Sequence, residues 1–278
     1  MLVFIPTRGR FHQQFTRRWF HLDRLHGVNG IEVFYVVPEC ELRQWEEDQW
    51  INGEKWPPPV SRRVFTVPDE YRFSDIRQHI LEYFPQDPYH ICIDDDMYIY
   101  RRAPGDTKLL TATPEDVLAM FEWIHTQLDV EGFAHGGVSG REGNNREPDQ
   151  EVMNTRCMRL HFYNRNILMA EGLKFTDIAA KQDFHMTLSL LELGYPNVVN
   201  FEFAHNQVES NSPGGCSRYR DAKMLEEMAH RLKELHPDFV TVVDKETKGS
   251  FGGGVRKDVR IAWKKALGTR ASDRKWKP

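Results

Sequence analysis

A chain of 278 residues has room for one large domain or two small ones, and at that length a buried core needs no disulfide or metal staple. With 40% hydrophobic, 28% charged and 12% aromatic residues it is neither disordered nor collagen-like, and its longest apolar runs stop well short of the ~18 residues that a membrane span needs. The net charge of −4 conceals an asymmetry: Lys248 to Pro278 holds ten Lys and Arg against Asp258 and Asp273, a +8 segment behind a body of −12, which fits a polyanionic partner or a merely solvated terminus.

The first element is Leu2 to Pro6, within MLVFIPTRGR. With no basic n-region ahead of an apolar stretch, it reads as a buried strand and not a signal peptide. It runs into Thr7-Arg8-Gly9-Arg10 and then a helical stretch carrying Phe15, Trp19, Phe20, Leu22 and Leu25. A strand over Ile31 to Val37 follows, then a helix from about Glu41 to Trp50, a break at Trp56-Pro57-Pro58-Pro59 and a strand near Arg63 to Val67. From Phe73 to Phe84 the residues Ile76, Ile80, Leu81 and Phe84 recur at helical spacing, with Ser74 placed to cap. Tyr89 to Ile93 is a strand that delivers three successive aspartates. This alternation of strand and helix predicts an α/β fold with a mainly parallel sheet flanked by helices. In such sheets ligands bind at the carboxyl ends of the strands, where both Thr7-Arg8-Gly9-Arg10 and Asp94-Asp95-Asp96 fall.

The second half is less regular. A helix from about Pro114 to Gln127 leads to a strand near Gly132 to Val138, then to a polar stretch, Ser139 to Asp149, too rich in Gly, Asn and charge for regular structure. Met158 to Tyr163 alternates as a strand does, Lys181 to Leu193 carries Phe184, Leu188 and Leu191 at helical spacing, and Val198 to Phe203 is a strand followed by His205. A turn at Pro213-Gly214-Gly215 precedes a helix from about Tyr219 to Leu235, and Gly252-Gly253-Gly254 marks a hinge before the basic end. Cys40, Cys92, Cys157 and Cys216 lie far apart with no CxxC spacing, as expected of reduced thiols in a cytoplasmic protein.

Three adjacent carboxylates repel one another unless a cation intervenes, so Asp94, Asp95 and Asp96 after a buried strand point to a divalent metal. Strand alternation would send Asp94 and Asp96 to one side and Asp95 to the other. Arg8 and Arg10 suit either phosphate and base contacts or surface ion pairs, and the loop from His135 to Arg146 combines flexibility, donors and positive charge.

These residues together resemble a nucleotide-sugar glycosyltransferase of the GT-A fold: a first strand ending in Pro6-Thr7-Arg8-Gly9-Arg10, an aspartate triplet about ninety positions on, a helix opening with Gln182-Asp183-Phe184-His185, and His205 beyond it. The resemblance implies that Pro6, Thr7, Arg8, Arg10, Asp94 and Asp95 face the donor, and that Asp96, Asp94 and His205 hold Mn²⁺ or Mg²⁺. It implies that Asp183 is the general base if the reaction inverts, although Gln182 stands where many members carry Glu. A narrower likeness, to phage and TET-associated glycosyltransferases that modify hydroxymethylated pyrimidines in DNA, is carried by Ser139-Gly140-Arg141-Glu142, Lys181 to His185, Asn211 to Cys216 and Asp258 to Lys265. It implies a UDP-linked sugar donor, duplex DNA as acceptor, Arg141, His185, Lys264 and Lys265 as acceptor contacts, and the host cytoplasm as the place of action; no membrane or protein partner is expected. On this reading residues 1–247 form the GT-A domain, about 1–110 binding the donor and 111–247 the acceptor, with 248–278 a basic extension. A glycan or lipid acceptor would use the same donor site without needing the basic end. A nucleotidyltransferase should show a glycine-rich phosphate loop, and Thr7 to Arg10 has one glycine; a non-enzymatic nucleic-acid-binding module would leave the aspartates idle.

Overall fold

The computed structural model describes residues 1–47, 50–51, 54–55, 63–208, 214–247 and 254–270. The expected proline break at 57–59, residues 211–213, Gly252 and Gly253, and Lys248, Arg274, Lys275, Trp276 and Lys277 of the basic end lie outside them. In chain order the strands and helices are β1 (Leu2–Pro6), α1 (Phe15–Trp19), α2 (Leu22–Leu25), β2 (Glu32–Pro38), α3 (Leu42–Glu47), β3 (Trp50–Ile51), β4 (Glu54–Lys55), β5 (Val64–Val67), α4 (Phe73–Tyr83), β6 (Tyr89–Ile93), β7 (Met97–Arg102), β8 (Leu109–Thr111) and α5 (Pro114–Asp129). Then come β9 (His135–Gly140), α6 (Arg141–Asn144), β10 (Glu151–Met153), β11 (Leu160–Asn164), α7 (Arg165–Ala170), α8 (Gln182–Glu192), β12 (Asn197–Gln207), α9 (Ala222–Leu235), β13 (Val240–Thr247) and β14 (Gly254–Ile261).

One sheet runs in the order β5-β2-β1-β6-β11-β9-β12-β7-β8, with β10 added on β12. The α/β class holds. Strands β5, β2, β1 and β6 are parallel, as crossover helices demand. Beyond β6 the sheet is mixed: β11 is antiparallel to both neighbours, β9 and β12 are parallel, and β7 returns antiparallel to β12. The central strand β1 is buried along its whole length, the mark of a strand covered on both faces. On one face α4 lays Ile76, Ile80 and the following Phe84 against Leu2, Phe4, Val36 and Val67. On the other α5, opened by a reciprocal cap between Thr113 and Asp116 with Pro114 in its first turn, buries Val117, Phe121, Ile124 and Leu128.

The helix that matters most for the site is α8. Met186 and Leu190 pack into one apolar cluster and Leu188 and Leu191 into another, so it is buried all round and its N-terminus is fixed from both sides. At its other end buried Glu192 accepts from His236 Nδ1 at 2.6 Å and pairs with Arg270, while His236 Nε2 meets His185 Nδ1 at 2.9 Å. That chain ties α8 to α9 and to the C-terminal segment. The boundary expected between residues 247 and 248 falls between β13 and β14, which pair antiparallel from Val240↔Ile261 to Thr247↔Gly254. Among the described residues no helix is long and apolar enough to cross a membrane.

Candidate active site

The carboxyl ends of β1 and β6 and the N-terminus of α8 open on a cavity of about 530 Å³. Its floor is the turn after β6. Thr16, in α1, holds that turn by its backbone: the Thr16 amide donates to the Asp95 carbonyl at 3.1 Å, its hydroxyl donates to the Asp94 carbonyl, and the hydroxyl oxygen accepts from the Met97 amide at 3.0 Å. The loop after β1 closes over the aspartates. Thr7 Oγ1 donates to Asp95 Oδ2 at 2.6 Å, and Arg10 Nη1 donates to both Asp95 Oδ1 (2.6 Å) and Asp96 Oδ2 (2.9 Å). Gly9 makes that loop possible with φ +67°, and its amide donates to the Glu41 carboxylate at 2.8 Å.

Alternation along a strand does not apply to the triplet. Strand β6 ends at Ile93 and the aspartates lie in a turn, so one guanidinium gathers Asp95 and Asp96 while Asp94 turns to Arg77, 3.7 Å away. Gln207, at the end of β12, donates to Asp96 Oδ2 at 2.9 Å. Burial pushes Asp94 up to about 7, against the pull of Arg77, and Asp95 up to about 6, against that of Arg10. Burial works to lower the Arg10 pKa, but Asp95 and Asp96 outweigh it and hold the guanidinium charged.

The opposite wall belongs to α8 and the β13–β14 hairpin. Asp183 lies in the first turn of α8 and lines the cavity, its Oδ1 accepting from the Phe184 amide at 2.9 Å. Lys181 precedes it in a left-handed conformation (φ +63°) and donates to Asp258 Oδ1 at 2.8 Å. Lys245 and Arg256, facing each other across the hairpin, reach Asp258 Oδ2 at 3.4 and 3.5 Å. Arg156 lies over the Phe184 ring at 5.4 Å. Among the described residues ten Lys and Arg and seven Asp and Glu line the cavity, an excess of positive charge in an acidic chain.

No protein-family model matches the sequence. The β-glucosyl-HMC-α-glucosyl-transferase of Enterobacteria phage T2 is 22% identical over 228 residues, 76% of this chain and 77% of that protein, and its counterpart in phage T6 is 22% identical over 233 residues, 78% and 79% of the two chains. Among solved structures, a mannosyltransferase from Pyrobaculum calidifontis in complex with GDP-Man and Mn²⁺ superposes with a TM-score of 0.53 at 12% identity, covering 85% of this chain and 64% of its own. S. aureus TarS in complex with UDP-GlcNAc gives 0.50 at 11% identity, covering 84% and 66%. The chain therefore spans just under two thirds of those two structures. Its fold is GT-A. The proteins it resembles, in sequence and in fold, are glycosyltransferases.

Within this GT-A scaffold, Pro6, Thr7, Arg8, Arg10, Asp94, Asp95, Asp96 and Asp183 all line the one cavity. Five other expected residues lie elsewhere. His205 is fully buried in β12 opposite Ile99, with burial lowering its pKa to about 3, and it does not line the cavity; Gln207, two residues on, is what meets Asp96. His185 is buried against His236, with Asp177 at 3.5 Å. Arg141 stacks over Tyr100 at 5.1 Å, Lys264 borders a surface hollow with Glu147 and Asp149, and Lys265 is exposed beside it in the chain. Residues the sequence did not single out complete the site: Arg77, Gln207 and Arg159. Arg77 left a trace, as a charge on the apolar stripe of α4 between Phe73 and Ile80. Gln207 left none, because its partner is 111 positions away.

Proposed function

We propose that this chain transfers a sugar from a nucleotide diphosphate sugar, UDP-linked, to a hydroxymethylated pyrimidine in duplex DNA, with Mn²⁺ or Mg²⁺ as cofactor. The observation that carries the reading is the single cavity that sets the aspartate triplet against Asp183 at the carboxyl end of the sheet. The names of the phage relatives, which join glucosyl groups to HMC, support an acceptor built on HMC, and the surplus of cations along the cavity supports a phosphate-bearing one.

The carboxylates fit a divalent ion. Asp96 Oδ1 is buried with no hydrogen-bond partner among the described residues, and Arg10 and Arg77 supply two positive charges to three aspartates. One further cation suits that set. Among the described residues no three His, Cys, Asp or Glu converge on one point, so Asp96 and Asp94 would hold the ion, with donor phosphates and water completing its shell. When bound, it would neutralise charge gathering on the leaving diphosphate. Arg10 fixes the orientation of Asp95 and Asp96, Thr7 fixes Asp95 from the other side, and Asp183 takes the proton from the acceptor hydroxyl as general base. The lysines and arginines of the hairpin hold the acceptor's phosphates near Asp183.

Release of nucleoside diphosphate from a panel of UDP- and GDP-sugars, with hydroxymethylated duplex DNA and Mn²⁺ present, tests the donor half. Turnover should stop on chelation and fall at least ~100-fold in Asp96→Asn. Equal turnover by the variant, or full activity in EDTA, would remove the triplet from the chemistry.

A further inference from the structure

Arg159 is one of five non-glycine residues, among those described, with a left-handed backbone, at φ +65°. The Leu160 amide donates to the Met158 carbonyl at 2.7 Å, closing a three-residue turn around it. Turns of this hand are rare and strained for residues with a side chain. Glycine would adopt this conformation without strain, yet the chain places a long cation there.

Two features lock the turn. The Arg159 carbonyl accepts from the Asp94 amide at 3.1 Å, fastening it to the first aspartate of the triplet. Behind it, Leu160 and Cys157 press on Gly137 so closely that a Cβ there would stand 2.3 Å from the Leu160 carbonyl oxygen and 2.1 Å from Cys157 Sγ. The surroundings thus enforce the strain, and the side chain is what they deliver: Arg159 lines the cavity. Its neighbours are already committed, Arg10 to Asp95 and Asp96 and Arg77 to Asp94. Among the described residues the Arg159 side chain makes no hydrogen bond or ion pair.

We propose that Arg159 binds the diphosphate of the nucleotide-sugar donor. The assignment rests on the donor reading above. A guanidinium presents paired N–H groups that match two phosphate oxygens, and a strained backbone fixed to Asp94 gives it one direction in which to present them. Charge on the leaving diphosphate would then be met from the Arg159 side as well as from the triplet.

The test is titration calorimetry with UDP and GDP in EDTA, alongside thermal unfolding, on the parent, Arg159→Gly and Arg159→Lys. Arg159→Gly relieves the backbone while deleting the cation, so its midpoint should stay level or rise while nucleotide affinity falls ~10- to 100-fold. Arg159→Lys keeps charge and strain and should keep part of the affinity. Undiminished UDP binding by Arg159→Gly would overturn the assignment and leave the donor reading standing. So would Arg159→Lys binding no better than Arg159→Gly, since the charge would then not be what the ligand meets. A parent protein that binds neither nucleotide, with or without Mn²⁺, would contradict the donor reading and this assignment with it.

Discussion

Arg10 is 8% exposed and pairs with two carboxylates buried more deeply still, so its removal strands charge that is largely shielded from water. Breaking a buried pair by deleting one partner costs about 3–5 kcal/mol. Arg10→Ala is expected to lose stability in that range by urea unfolding, and Mn²⁺ should recover part of it by replacing the missing charge. A loss below ~1 kcal/mol would mean that the aspartates do not depend on Arg10. At this scale the sequence is readable where chemistry is contiguous. Asp94 to Asp96, Thr7 to Arg10 and Asp183 stand out because a run of like charges, or a polar turn at a strand end, is conspicuous without knowing its neighbours. Arg159 and Gln207 were not legible: the first takes its meaning from a backbone angle, the second from a strand register across the sheet.

Glycines Gly136 and Gly137 show what an element demands of its neighbours. A Cβ on Gly136 would stand 2.2 Å from the Val198 carbonyl oxygen and 2.3 Å from the Phe162 ring. Neither strand backbone nor a buried aromatic yields easily, so Gly136→Ala should cost about 3 kcal/mol or more, at the upper end for an overpacked core; an unchanged midpoint of unfolding would contradict the packing. Buried histidines give the elements a pH dependence. His90 in β6, His135 in β9 and His185 in α8 are each held down to about 4, chiefly by burial, from 6.5. Because protonation favours the unfolded chain, their contribution is complete above pH 6.5 and is lost as pH falls toward 4, at up to ~1.4 kcal/mol per pH unit each. Asp94 and Asp95, raised to about 7 and 6, act in the opposite sense over much of that window. The informative comparison is therefore His135→Asn against the parent by urea unfolding between pH 7.5 and 4.5: the variant should show the shallower acid loss, and parallel profiles would contradict the assignment. The parallel half of the sheet was legible from its alternation of strand and helix. Strand β7 was not: one of its two partners, β12, lies a hundred residues away, and the other, β8, is too short to stand out in the sequence.

Over the whole molecule, charge is sorted by place. The acidic body carries the candidate cavity, and the hairpin adds Lys245, Arg256 and Lys257 to its lining. The asymmetry was plain in the sequence; that its cations would be delivered by a strand pairing back onto β13 was not, since the pairing partner precedes the basic segment. If the hairpin holds acceptor phosphates, Lys245→Glu with Arg256→Glu should weaken duplex DNA binding and reduce the slope of log affinity against log salt by about 1 for each phosphate no longer neutralised. An unaltered slope would move the acceptor elsewhere on the surface. The most direct measurement is nucleoside mass spectrometry of duplex DNA containing hydroxymethylated pyrimidines after incubation with the protein, Mn²⁺ and a pool of nucleotide sugars, with Asp96→Asn in parallel. A mass gain of one sugar on the modified nucleoside, absent with the variant, is the predicted result. Unmodified DNA, together with metal-dependent release of nucleoside diphosphate, would contradict the DNA acceptor and direct the search to a glycan or a lipid.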